Sequence, residues 1–125
     1  VSHVVLFDAM QDTLAMCRDD YVVERMEEIA SQSNHFYVGT SADPVRRWRG
    51  RVVRGDWMNC HKLSYNSMHV IGVRRGHWGG KLEERLIREA VASFGRPWCQ
   101  NIAEDCRGLS KHESVFNFVY VCTSK

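Results

Sequence analysis

The segment 81–94 constrains the fold most, because its pattern predicts an amphipathic α-helix with one long apolar face. At about 100° per residue, its apolar side chains share a single face: Leu82, Leu86, Ile87, Ala90, Val91 and Phe94. Gly95 is expected to end the helix, since glycine readily adopts the left-handed conformation that follows a last helical turn. A helix of this kind needs cover on its apolar side, which favours packing on a sheet.

Glu83 lies on this apolar face, close in direction to Phe94. An isolated buried charge is costly, so the carboxylate has to be paired, bind a cation or reach a cleft. Because Glu83 falls in the first predicted turn, its side chain is expected near the rim of the sheet. Two interpretations stay open: a ligand for a hard divalent cation, or a structural pair with a buried arginine or the helix start.

Four short apolar segments predict strands, and they cover residues 4–7, 35–40, 68–73 and 115–122. The alternation of these strands with helical segments predicts an α/β or α+β fold with helices packed on a sheet. At 125 residues the chain has the length of one domain. We therefore expect a single domain over residues 1–125.

Two further helices are predicted before the third strand. The first covers 12–29 with Asp12 as its N-cap, and the second runs to about Arg49 with Asp43 as N-cap and Pro44 at its first position. Glycine and polar residues interrupt the remaining segments, so three stretches are predicted as turns or irregular loops: 50–66, 76–80 and 96–113.

Charge is distributed unevenly along the chain. Residues 1–34 carry seven acids and two bases, whereas residues 35–125 carry fifteen bases and eight acids. Five arginines fall between Arg46 and Arg54, directly after a predicted strand and a tight turn. A basic body suits a polyanionic partner, although a solvated surface would have a similar composition. The strand, turn and basic helix start together suggest a site for holding a phosphate.

Composition excludes several classes of protein. No window approaches the roughly 18 apolar residues of a membrane span, and residues 1–10 lack the features of a signal peptide. The five cysteines are odd in number and contain no Cys-x-x-Cys pair, which favours reduced thiols in an intracellular protein of the nucleus or cytoplasm. A zinc site matches no standard ligand spacing, and its ligands would be Cys60, His61, Cys99 and Cys106. Because the chain begins at Val1, it could be one domain of a longer protein.

Four features occur in a suggestive order: Tyr-Val-Gly at 37–39, Arg47, Leu-Glu-Glu-Arg-Leu-Ile at 82–87, and Arg-Pro-Trp-Cys-Gln-Asn at 96–101. Together they resemble the YIG strand, the arginine, the Leu-Glu-x-x-Leu-Ile helix and the Arg-Pro-x-x-Asn segment of the GIY-YIG nuclease domain. The resemblance covers residues 35–103. It implies a small, mainly antiparallel central sheet of three to four strands flanked by helices.

One element of that family is missing. Its GIY strand should lie roughly ten residues before Tyr37, where the chain has the acidic segment and only Tyr21. The first strand, 4–7, could take its place in the sheet but has no tyrosine. The last strand echoes residues 36–41 over 118–124, and it could bring Tyr120 near the site.

The histidine that follows the arginine in the family would fall near Arg51, and no histidine stands there. His61 and Tyr65 are possible substitutes.

The resemblance implies a metal-dependent endonuclease that hydrolyses DNA phosphodiester bonds. Tyr37 would position the attacking water, Arg47 would bind the scissile phosphate, Glu83 would hold Mg²⁺ or Mn²⁺, and Asn101 would orient neighbouring groups. DNA, including branched or other structured forms, would be the partner. Further basic residues would contact the DNA backbone without reading sequence: Arg46, Arg49, Arg51, Arg54, Arg74, Arg75 and Lys81.

Two other functions stay open. The missing GIY tyrosine favours a GIY-YIG-like module that binds nucleic acid without cutting it. The acidic first helix would instead suit a protein-interaction domain. That helix could also cover the basic site and inhibit it.

Overall fold

A computed structural model gives the fold for residues 4–53, 56–58, 61–101 and 112–125. The strands in these residues are β1 Val4–Phe7, β2 His35–Ser41, β3 Arg51–Val53, β4 Asp56–Met58, β5 Ser67–Arg75 and β6 Phe116–Ser124. The α-helices are α1 Gln11–Met16, α2 Asp19–Ser31, α3 Pro44–Arg49 and α4 His77–Phe94, and a short 3-10 helix covers His61–Leu63. None of the helices within this part of the chain is long and apolar enough to cross a bilayer.

The central sheet has four strands in the order β1-β5-β6-β2, and β3 with β4 forms a separate hairpin. β6 runs antiparallel to both β2 and β5, whereas β1 runs parallel to β5. The predicted α+β class is thus confirmed, with a mixed sheet. β1 lies at the far edge, paired with β5, and the last strand, β6, pairs with β2.

β6 is buried on both faces, as a strand in the middle of a covered sheet must be. Because side chains alternate along a strand, Val119 and Val121 pack into the core beneath α2 and α4. Tyr120 and Cys122 face the opposite side, in a second core together with Leu14 of α1. The two cores therefore lie on opposite faces of one sheet.

The predicted helix over 12–29 is divided into α1 and α2. Cys17 and Arg18 adopt extended backbone conformations between them, and Met10 rather than Asp12 is the N-cap of α1. The guanidinium of Arg74 donates hydrogen bonds to the carbonyls of Leu14 and Cys17. A long-range contact thus satisfies carbonyls that a continuous helix would have used, which explains why local periodicity missed the break.

α4 begins at His77, earlier than predicted, so only Gly76 belongs to the expected glycine-rich turn. The carbonyl of Gly76 accepts a hydrogen bond from the Asn117 side chain of β6, and its N–H donates to Val115. These bonds fix the helix start against β6 and outweigh the low helix propensity of the glycines that follow. Gly95 ends α4 with a φ of 76°, as predicted.

The turn before α3 is formed as the sequence predicts. Asp43 Oδ1 accepts a hydrogen bond from the Arg46 N–H at 3.1 Å, and Pro44 is the first helical residue. This cap orients the arginines of α3 relative to the end of β2. The prediction that 50–66 is irregular is wrong where β3, β4 and the 3-10 helix form.

Candidate active site

The candidate site is centred on Tyr120, which pairs with Gly39 across β6 and β2. A Cβ atom at position 39 would lie only 2.5 Å from the Tyr120 hydroxyl oxygen and 2.6 Å from Cζ. Since real Cβ atoms do not approach other atoms so closely, the phenol can lie over β2 only because residue 39 is glycine. Glycine here is a requirement of close packing between two strands.

An aromatic cluster surrounds the Tyr120 ring. The ring of His61 lies 5.5 Å from that of Tyr120 and 5.2 Å from that of Tyr37, measured between centroids. His61 Nε2 is 2.9 Å from the Tyr120 hydroxyl oxygen, within hydrogen-bond distance. Tyr65 contacts the same histidine ring and donates its hydroxyl proton to Gln100 Oε1 at 2.7 Å. Tyr37, His61, Tyr65 and Tyr120 therefore come together from β2, the 3-10 helix, the segment before β5, and β6.

His61 is neutral at physiological pH. Burial, with a smaller effect of the nearby guanidinium of Arg47, lowers its pKa from 6.5 to about 4. A neutral imidazole has one unprotonated nitrogen. When that nitrogen is Nε2, it accepts the phenolic proton of Tyr120, so the pair is suited to pass a proton.

Arg47 and Glu83 lie close enough to Tyr120 to affect its ionisation. Burial raises the pKa of this phenol well above 10, and the charges of neighbouring Cys122, Tyr37 and Glu83 act in the same sense, whereas Arg47 opposes them. A phenol in this environment stays protonated at neutral pH. The groups predicted to bind phosphate and metal are therefore both within electrostatic range of one tyrosine. Glu83 has the weaker influence, since α4 packs on the other face of the sheet.

The charged side chains of Glu83 and Arg47 are both shielded from water, to different degrees. Glu83 is only 3% exposed, which confirms that a carboxylate lies on the buried face of α4. Arg47 is half-buried, and its Nε atom is buried without a hydrogen-bond partner in the part of the chain that the structure describes. An unsatisfied guanidinium N–H at a site favours an oxygen-rich ligand such as phosphate.

Asn101 acts on the backbone of β2. Trp98 and Gln100 hydrogen-bond Phe36 through main-chain atoms along the free edge of the strand. Asn101 extends this ladder with its side chain, because Oδ1 accepts from the Val38 N–H at 2.8 Å and Nδ2 donates to the Val38 carbonyl at 2.7 Å. It therefore fixes the strand that carries Tyr37 and Gly39.

The predicted DNA-contacting residues divide into different environments. Arg46 and Arg49 on α3 and Lys81 on α4 are exposed. Arg75 is exposed too, with its guanidinium 5.0 Å above the Phe116 ring.

Arg74 was predicted to contact DNA, but its guanidinium donates hydrogen bonds to the α1–α2 connection and to the Asp19 carboxylate. It therefore belongs to the structural framework. Arg54 lies outside the described residues, and for Arg51 the structure describes the backbone in β3.

The longer part of the predicted acidic helix, α2, does not lie over the Tyr120 cluster. α2 packs with α4 on the face of the sheet opposite to the Tyr120 cluster. Its first acids form ion pairs away from the site, Asp19 with Arg74 at 2.9 Å and Asp20 with Arg85 at 2.7 Å. The first part of the predicted acidic helix, α1, packs through Leu14 on the same face as Tyr120, so inhibition by this helix stays a prediction.

A single carboxylate limits the kinds of cation that the site suits. Across residues 4–53, 56–58, 61–101 and 112–125, no three His, Cys, Asp or Glu side chains converge as a metal site. Mg²⁺ is commonly bound through one or two carboxylates plus water and substrate phosphate, so Glu83 fits this ion. The zinc interpretation required Cys60 and Cys106, which lie outside the described residues.

Comparison with known proteins finds no match for this chain among protein-family models, curated proteins or solved structures. The functional assignment therefore rests on the geometry of the site. That geometry gives two residues of the sequence motifs roles that the patterns did not predict: Gly39 as the contact surface of Tyr120, and Gln100 as the partner of Tyr65.

Burial of His61 predicts a pH-dependent stability. The unfolded chain binds a proton at this histidine near pH 6.5 and the folded chain only near pH 4, so stability falls as the pH drops through that interval. Between pH 7 and pH 5 we expect a loss on the order of 2 kcal/mol from this group.

Urea unfolding of the wild type and His61→Gln at both pH values tests this. The wild type should lose that much more stability than the variant, since other titrating groups are common to both proteins. Equal losses in the two proteins would show that His61 is not buried in its neutral form.

Proposed function

We propose that this domain is a metal-dependent endonuclease of the GIY-YIG type that hydrolyses DNA phosphodiester bonds, with its second tyrosine supplied by the C-terminal strand. The observation that carries the proposal is the cluster of Tyr37, His61 and Tyr120, with Arg47 and Glu83 within electrostatic range of it. Hydrolysis of a phosphodiester needs an activated water, stabilisation of phosphoryl charge and help for the leaving oxygen. These side chains offer a group for each task.

Tyr120 and His61 together activate the attacking water in this proposal. Because the raised pKa disfavours a free phenolate at Tyr120, the phenol passes its proton to His61 Nε2 as it accepts one from the attacking water. The neutral imidazole at 2.9 Å makes this relay possible. Tyr37, whose ring lies 5.2 Å from the same imidazole in a tilted arrangement, positions the water.

Arg47 binds the non-bridging oxygens of the scissile phosphate. Its guanidinium can donate several charge-assisted hydrogen bonds, which are among the strong ones in proteins. Since the Nε atom is buried and has no partner within the described residues, a phosphate there would satisfy a donor that folding leaves unsatisfied. This residue stabilises the negative charge that grows in the transition state.

Glu83 would hold Mg²⁺ or Mn²⁺ through its carboxylate, and a bound cation would supply charge stabilisation at the leaving oxygen. Asn101 is a positioning residue in this scheme, because it touches β2 rather than the substrate.

Contacts with the DNA backbone come from exposed cations on the helices and at the end of β5. These residues neutralise phosphates without reading sequence, and they are Arg46, Arg49, Arg75 and Lys81. Branched or otherwise structured DNA suits the proposal as well as linear DNA. The thiols of Cys17, Cys99 and Cys122, all free, fit a reducing nuclear or cytoplasmic location.

The alternative of a module that binds without cutting was favoured by the missing GIY tyrosine. Tyr120 on β6, the strand paired with β2, supports the cutting function over that alternative.

Metal-dependent cleavage is the direct test of the proposed function. Supercoiled, linear, single-stranded and branched DNA would each be incubated with the protein in Mg²⁺ or Mn²⁺, and in EDTA. We expect strand breaks on at least one substrate that disappear in EDTA. Cleavage that persists in EDTA would contradict a metal-dependent site, and salt-sensitive binding without cleavage on any substrate would support the non-cutting module.

A further inference from the structure

A groove lies beside the candidate site, on the same side of the sheet as the Tyr120 cluster. It has a volume of about 660 Å³ and is formed by β1, α3 and the 3-10 helix. Pockets that take one drug-sized ligand are commonly about 300–1,000 Å³, so the groove has room for a nucleotide-sized group. Its lining residues are Val5, Val45, Trp48, Arg49, Lys62 and Leu63.

The groove adjoins the proposed catalytic groups through shared elements. α3 contributes Arg49 to the groove and Arg47 to the site, and the 3-10 helix contributes Leu63 to the groove and His61 to the site. A strand whose phosphate lay at Arg47 would therefore have its neighbouring nucleotide next to the groove.

The chemistry of the lining combines apolar surface with positive charge. Four of the six lining side chains are apolar, and the other two are the cations Arg49 and Lys62. Leu63 is 70% exposed, so its apolar side chain is available to a ligand in the groove. An apolar floor with two flanking cations complements a ligand that has both a flat apolar face and a phosphate.

We propose that this groove holds an unpaired nucleotide of the DNA strand next to the scissile phosphate, an inference that rests on the proposed function. In a duplex the base faces are stacked on one another, so the protein meets phosphates, sugars and base edges but no free base face. An unpaired base exposes a face that can pack on apolar side chains while its phosphate meets the cations. The groove thus selects DNA that is single-stranded at or beside the cleavage position.

Equilibrium binding in EDTA tests this without cleavage. Fluorescence anisotropy would compare a labelled single strand of about 12 nucleotides, within the site sizes common for single-strand binding, with its duplex at one salt concentration. The wild type should bind the single strand more tightly. Leu63→Asp should weaken single-strand binding about tenfold and duplex binding by less than about twofold.

Met16→Asp is the matched control, because Met16 is 83% exposed on α1, outside the groove, and the charge change is the same. It should change binding of either DNA by less than about twofold. Equal losses for single strand and duplex in Leu63→Asp, or no loss for the single strand, would overturn the proposal.

The two proposals fail in different ways. Metal-dependent cleavage, together with single-strand binding that is unchanged in Leu63→Asp, would refute the proposed role of the groove and leave the nuclease proposal standing. Selective single-strand binding that depends on Leu63, without cleavage of any substrate, would support the proposed role of the groove and refute the nuclease proposal.

Discussion

Glu83→Gln is expected to lower the rate of DNA cleavage by on the order of 10³-fold while leaving DNA affinity nearly unchanged. Glutamine keeps the size and shape of the side chain but loses the negative charge that a divalent cation requires. The exposed cations of α3 and α4, which dominate affinity for a polyanion, are untouched. Single-turnover cleavage and anisotropy on the same oligonucleotide measure the two effects separately.

Glu84→Gln provides the matched control, since it removes the same charge from the next residue, on a more exposed position of α4. It should cleave within about threefold of the wild type. Thermal unfolding of both variants checks that the fold is retained. Unchanged cleavage by Glu83→Gln would refute this site as the hydrolytic centre.

Gly39→Ala is expected to destabilise the domain by about 3 kcal/mol and to abolish cleavage. The new methyl would meet the Tyr120 hydroxyl oxygen, Cζ and Cε1 at 2.5 to 2.7 Å. Tyr120 is only 1% exposed, so its ring has little room to move aside. Either the two strands separate or the phenol leaves His61, and both outcomes disrupt the proton relay. Urea unfolding and the cleavage rate report the two consequences.

Gly72→Ala is the control in β5, a neighbouring strand of the same sheet. A Cβ there would meet Leu82 and Val22 at 3.5 Å, an ordinary van der Waals distance. Its stability should change by less than about 1 kcal/mol. If Gly39→Ala were as stable and as active as Gly72→Ala, Tyr120 would not lie over β2.

Local sequence patterns predicted the elements that carry the site. The apolar periodicity of 81–94 identified α4, and Glu83 on its apolar face is buried as expected. Asp43 and Pro44 identified the start of α3, because capping depends on residues within one turn of each other. Physical signals of this kind are short-range, so they can be recognised without knowledge of the fold.

Long-range pairing could not be predicted in the same way. Nothing local determines that β6 lies between β2 and β5, and β1, the closer strand in sequence to β2, would have been an equally plausible neighbour. The resemblance between 118–124 and 36–41 was the available signal, but similarity of two strands does not specify their register. Arg74 shows the same limit, because its partners on the α1–α2 connection are distant in sequence.

The most direct measurement is a crystal structure of the protein with Mn²⁺ and an oligonucleotide whose scissile phosphate resists hydrolysis. The account predicts an anomalous-scattering peak for Mn²⁺ at the Glu83 carboxylate. It also predicts a phosphate bound by Arg47, with the Tyr120 hydroxyl facing the position of the attacking water. Mn²⁺ and phosphate bound together elsewhere on the domain, with Glu83 and Arg47 contacting neither, would contradict it.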